Sequence, residues 1–295
     1  MECYVIMTTM RRSKAHAFRW LWLAIGLLVL TSTNVTHADE VAPDLEGADL
    51  RVKAQHELRR LVTSLPASDQ KRLVGVYAAF DGSVSDPSAQ VACDDDGDYV
   101  VLVSDAMLRL TAHIARAASY DEPNNTRKVE EYATFIARSQ IAGRRLLPPP
   151  PGFYIAEKPA ATYDERLAEA LSFLMARELT HLRASDLICP KPTATKESGD
   201  DTWTSAEQRK AAEIAHVTYP GRQLERDNEA ITRVLDTGTS EKGAMALLRF
   251  FVQLDAEARI VAGRFVPTYQ TLHPNALLRL GAVKQAVLAH QASGD

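Results

Sequence analysis

A mainly helical α+β fold, a helical bundle with a small β-sheet, is what this 295-residue sequence predicts. Three observations carry the prediction. Long stretches repeat apolar residues at three- and four-residue spacing, the period of a buried helix face. Two stretches open on capping boxes, Thr162-Tyr163-Asp164-Glu165 and Ser205-Ala206-Glu207-Gln208. In that pattern the hydroxyl takes one unpaired N–H of the first turn and the carboxylate or amide reaches back for another. Only two short runs, 72–80 and 99–103, read as strands, both β-branched or aromatic and bounded by turn residues.

In chain order, residues 1–38 read as a signal peptide. Arg11, Arg12, Lys14 and Arg19 precede an apolar run at 20–30, too short to favour a spanning helix, and Thr36-His37-Ala38 suits cleavage after Ala38. The expected location is therefore exported, periplasmic or secreted. Membrane attachment is expected only if this segment stays uncleaved as an anchor. Residues 39–69 form an N-terminal helical segment, with Leu50, Leu58, Leu61 and Val62 on one face. The acidic run Asp94, Asp95, Asp96, Asp98 fails as a calcium loop, because Tyr99 stands where the turn glycine belongs and no Glu closes it; a solvated turn is expected. Helices follow at 104–118, with Met107, Leu108, Leu110 and Ile114 as the apolar face, and at 127–141. Asn124-Asn125-Thr126 matches a glycosylation sequon between them. Pro148 to Pro151 cannot be helical and make a stiff connector.

The helix opened at Thr162 runs to about 184, with Leu167, Leu171, Leu174 and Met175 as its core stripe. A polar loop at 186–204 leads to helices at 205–217, 222–236 (stopped by Gly238), 242–261 and 274–290. The chain is 46% apolar and 24% charged, with a formal charge of -4. That is ordinary for a globular protein. Without a basic patch interleaved with aromatic residues, nucleic acid is not an expected partner. Cys3 lies in the signal segment; Cys93 and Cys189 are either one disulfide or two buried thiols.

Chemistry concentrates in Ala176-Arg177-Glu178-Leu179-Thr180-His181-Leu182. The metallopeptidase pattern His-Glu-x-x-His sets two imidazoles one helical turn apart to hold Zn²⁺, while the Glu activates the metal-bound water. Here Arg177 stands at the first His. Two later segments add to it. Gln223-Leu224-Glu225-Arg226-Asp227 is followed by Ala230-Ile231, Thr237-Gly238 and Gly243-Ala244, and then by His273-Pro274 and Arg279-Leu280. In this order the motifs resemble the HtpX-like and CAAX-prenyl-protease-like zinc metallopeptidases (metallopeptidase family forty-eight). The strand-to-helix passage from Tyr99 to Leu110 also looks like the family's edge strand and following helix. The resemblance covers residues 70–285.

That resemblance implies a zincin-like metallopeptidase domain over 70–290, its sheet near the active-site helix. It implies that Glu178 is the catalytic base and His181 the second zinc ligand. Gln223 falls on the third ligand, normally Glu, and Asp227 on a supporting or proton-donating Asp. His273 and Arg279 fall on a C-terminal pair near the site. Zinc is the implied cofactor and a polypeptide the implied substrate or client. Arg177 and Gln223 are departures at ligand positions. Arg has no lone pair to give, and Gln is a poor ligand. A shifted register would offer Glu225 and Glu229, but two residues along a helix turn the side chain to the opposite face, so Gln223 is preferred.

Arg177 either pairs with Glu178 or Asp227 across the old metal position or points to solvent. The expected function is an exported metallopeptidase homologue with impaired or absent zinc-dependent proteolysis, a pseudoenzyme that binds polypeptides in a chaperone-like or regulatory role. Its competitors are an active endopeptidase using His181, Glu225 and His216 or His273, and a non-enzymatic structural protein.

Overall fold

The computed structural model describes residues 47–94, 96–154, 162–189, 220–258 and 265–294. The described part is mainly helical with one small sheet. Helices α1 (Gly47–Thr63) and α2 (Ala67–Arg72) precede strands β1 (Tyr77–Asp81), β2 (Ala89–Cys93) and β3 (Tyr99–Ser104). Then come α3 (Asp105–Asn124), α4 (Lys128–Ser139), α5 (Tyr163–Arg183), α6 (Pro220–Asp236), α7 (Lys242–Ala258), α8 (Thr268–Leu272) and α9 (Ala276–Gly294). The signal segment, the capping box at 205–208 with its helix, and His216 lie outside the described residues.

The sheet has the order β1-β3-β2. β1 runs parallel to β3, pairing Tyr77 with Val100, and β2 runs antiparallel to it, pairing Cys93 with Tyr99. The expected strand at 72–80 begins later, since Ala67–Arg72 forms a short helix. β2 carries no strand signal in the sequence, because Gly, Ser, Asp and Pro punctuate the residues before it; all five of its residues are nevertheless buried. Asp94 Oδ1 accepts from the backbone N–H groups of Asp96 and Asp98, which makes the acidic run a self-bonded turn.

β3 passes directly into α3. Ser104 supplies the cap: its Oγ accepts from Met107 N at 3.1 Å and from Ser88 N at 2.9 Å. α4 borrows its cap from the preceding helix, since Asp121 accepts from the backbone N–H groups of Lys128 and Val129. The capping box expected at Thr162 does not form. Thr162 sits at ψ 2°, already near helical geometry, and its side chain makes no cap bond; a capping hydroxyl needs an extended backbone to reach forward. Gly238, with φ 74°, ends α6 as expected.

α5 is the central element. It packs against α1, α3, α6, α7 and the sheet. Leu167, Leu171, Phe173, Leu174, Leu179 and Leu182 are all buried, as are the small residues Ala170, Ser172 and Ala176 that let neighbours approach from other sides. A helix covered on every side must also bury its polar residues, and Arg177, Glu178, Thr180 and His181 lie inside with the leucines. No described helix is long and apolar enough to cross a membrane.

Cys93, at the end of β2, is bonded to Cys189 beyond α5, across a sequence separation of 96. Closing so long a loop removes much entropy from the unfolded chain. Reduction is expected to lower unfolding free energy by about 2–4 kcal/mol. Urea unfolding with and without a dithiol reductant measures it.

Candidate functional site

Four segments converge beside α5. α5 contributes Arg177, Glu178 and His181, and α6 contributes Gln223 and Asp227. His273 follows α8, and Arg279 lies in the first turns of α9. Seven residues expected to share a site, namely Arg177, Glu178, His181, Gln223, Asp227, His273 and Arg279, are all buried. Gln223 and Asp227, four apart on one helix, face the same way. Glu225, proposed as a metal ligand, is exposed on the other side of α6, as its offset of two residues requires. Glu229, its partner in that register, pairs with Arg183.

The Arg177 guanidinium occupies the middle of the cluster. Its Nε donates to Asp227 Oδ1 at 2.8 Å, and its Nη1 donates to Glu178 Oε1 at 3.2 Å. The same Nη1 lies 3.1 Å from His273 Nε2, and Nη2 donates to Gln223 Oε1. Of the two orientations open to Arg177, the structure takes the inward one and pairs it with both carboxylates. Because a guanidinium only donates, its bond to His273 requires an unprotonated Nε2 there. Arg279 grips Asp227 from the far side, with Nε 2.7 Å from Oδ2 and Nη2 3.0 Å from Oδ1, and donates to the His273 carbonyl at 3.2 Å. Tyr269, beneath the His273 ring at a centroid distance of 4.4 Å, closes the floor.

A second arm runs through His181. Its Nδ1 lies 2.9 Å from Asp186 Oδ2, and Arg226 holds the same carboxylate through two bonds of 2.8 and 3.1 Å. The His181 and His273 rings lie nearly parallel, 6.4 Å apart. Asp186 and Arg226 were not singled out from the sequence. A carboxylate five residues beyond a candidate metal-binding His is a usable signal, since such histidines hand their second nitrogen to a carboxylate.

Burial pushes the Glu178 carboxyl up to about 7, against the pull of Arg177 and Arg279. Burial lowers His181 to about 4, with Asp186 opposing it. Burial also pushes Asp227 upward, but Arg279 and Arg177 together outweigh it and hold the group below its ordinary value. Two permanent cations thus share one full carboxylate and a second that titrates near neutrality.

These shifts set a pH dependence. Glu178 binds its proton more tightly when folded, so its share of stability is complete below about 4.5 and falls as pH rises to about 7. His181 acts in reverse: its share is present above about 6.5 and is lost toward about 4. Between about 4.5 and about 6.5 the two oppose; above about 6.5 only the Glu178 loss continues, through about 7. Glu178→Gln is therefore expected to lose less stability than the parent between about pH 5 and about pH 8 in chemical denaturation.

Zinc, the cofactor implied by the sequence resemblance, does not fit these residues. A permanent cation already lies among the groups that would surround it, and the residues at two ligand positions, Arg177 and Gln223, are bonded to each other. Only His181 keeps the arrangement of a ligand, with a carboxylate on Nδ1. Among the described residues no group of three His, Cys, Asp or Glu side chains is placed to hold a metal. No family model matches the chain, and no curated protein or solved structure matches it either.

Proposed function

We propose that this chain is a pseudoenzyme on a zincin-like metallopeptidase plan, in which Arg177 stands in for the charge of the metal, and that it binds exported polypeptides without cutting them. The observation that carries the reading is the position of Arg177, fully buried and bonded to Glu178, Asp227 and Gln223. A guanidinium supplies positive charge to neighbouring carboxylates, but it has no lone pair or open coordination position, so it cannot activate water as zinc does. The exposed side chain of Glu225 weighs against a rearranged zinc site. Export rests on the basic and apolar N-terminal pattern. The Cys93–Cys189 bond suits an oxidising compartment.

Metal analysis of protein purified without chelator tests the site. The parent is expected to carry no stoichiometric zinc. Arg177→His with Gln223→Glu is expected to gain about one zinc per chain, where neither change alone does. Stoichiometric zinc in the parent that is lost on His181→Ala would sink the proposal. Fluorescently labelled casein is expected to bind the parent and remain uncut.

A further inference from the structure

The last helix is apolar on its outer side as well as its inner one. On α9, Leu280, Val283 and Val287 turn to the body and are buried. On the opposite side Leu277, Leu278 and Leu288 are 65%, 60% and 58% exposed. Apolar residues scattered singly over a surface are ordinary, as Val52, Ile141 and Ile188 are here. Three leucines on one helix are not scattered, and a helix apolar on both sides is ordinarily covered on both. α9 also contains no Asp or Glu.

Helical spacing gathers this outer side into a strip. Leu277 and Leu288 lie eleven residues apart, close to three full turns, so they stand on one line along the helix. Gly281 lies between them near that line, with nothing within 4 Å of the place a Cβ would take. Lys284, exposed, flanks the line. The centre of the strip is therefore uncharged, with a leucine at each end and a gap between.

We infer that this strip is a contact between two copies of the chain, their α9 helices paired antiparallel about a two-fold axis. Self-complementarity selects the occupant. In a two-fold contact, a residue that meets a second one must be met by it in return. With the axis passing between Ala282 and Val283, Leu277 meets Leu288 of the second copy, and Leu288 meets Leu277. In the same register Gly281 faces Lys284 of the second copy, again reciprocally. The glycine leaves room for the lysine stem, whose ammonium still reaches water at the edge of the strip. An unlike partner would need no such symmetry. The strip is about 17 Å long and about 10 Å wide. That falls short of the roughly 800 Å² per partner of a standard interface, so the pairing is weak and dilute protein is monomeric.

The test uses the chain from Asp39, which keeps the whole compact unit Pro43–Asp295. Sedimentation velocity from about 1 μM to about 1 mM is expected to show a monomer–dimer equilibrium. Leu277→Glu with Leu288→Glu is expected to weaken the dimer by about tenfold or more. Both positions are exposed, so the melting temperature of the dilute variant should match the parent. Cross-linking reads the register. A mixture of Leu277→Cys and Leu288→Cys chains, oxidised with copper–phenanthroline, is expected to give the mixed disulfide dimer in preference to either symmetric one. A monomer at every concentration overturns the inference, including where anionic lipid vesicles or labelled casein bind the strip instead. So does a dimer that survives the two glutamates, or cysteine chains that couple alone as readily as mixed.

Discussion

In urea, Arg177→Met is expected to unfold with a free energy about 3–5 kcal/mol below the parent, the range for removing one partner from a buried ion pair. The side chains are close in volume, so the loss is electrostatic before it is steric. Asp227 retains both bonds from Arg279. Glu178 retains no cation in direct contact, and Gln223 Oε1 and His273 Nε2 lose the donor that faces them. Among the described residues, Glu178 Oε2 has no hydrogen-bond partner even in the parent. In the variant that carboxyl must stay protonated to remain inside, so the deficit is expected to grow as pH rises through neutrality. Adding Glu178→Gln to Arg177→Met should therefore recover part of the loss, most clearly at about pH 8. Equal stability of Arg177→Met and the parent at high pH would show that the guanidinium is not the counter-charge of this cluster.

Much of that cluster was readable in the sequence because helical spacing is a strong rule. Gln223 and Asp227 had to share a face, and Glu225 had to leave it. Arg177 and Glu178, neighbours on one helix, do not share a face by spacing alone; they come together because the long guanidinium reaches across to meet the carboxylate. The convergence of α5, α6 and the His273–Arg279 segment was implied by the family resemblance, not by spacing, and it did not reach the residues that hold His181. Asp186 comes from a turn read as polar loop, and Arg226 was read only as part of α6, yet together they fix His181. Elements followed the same division. The mainly helical character and small sheet were legible from periodicity. β2 was not, because its burial comes from packing on α5 rather than from alternation. The Thr162 cap failed for a local reason, the backbone angle, which composition does not report. Asp121 does for α4 what Thr162 was expected to do for α5, from seven and eight residues away, beyond the reach of a four-residue motif.

Two glycines in helices separate what intrinsic propensity contributes from what packing demands. Gly243 lies in the first turn of α7, where that helix crosses α5. A methyl group added there would lie 2.5 Å from Ala170 N, 2.6 Å from Arg166 O and 2.6 Å from Glu169 Cβ. Two of those atoms are backbone of the central helix, which cannot yield without moving its core stripe. The same close approach lets Gly243 N donate to Glu169 Oε2 at 2.9 Å, a carboxylate already paired with Arg166. Helix propensity favours Ala over Gly by about 1 kcal/mol. Overpacking between two helices costs about 1–3 kcal/mol or more, and contacts this short with backbone lie at the upper end. The clash wins, and Gly243→Ala is expected to lower stability by about 3 kcal/mol. Gly281, on the exposed face of α9, has nothing within 4 Å of the added carbon. There only propensity acts, so Gly281→Ala is expected to raise stability by up to about 1 kcal/mol. Thermal or urea unfolding of the two variants side by side reads the contrast. If both changed stability in the same direction, the close crossing of α5 and α7, and with it the placement of the helix that carries Arg177 and Glu178, would have to be redrawn.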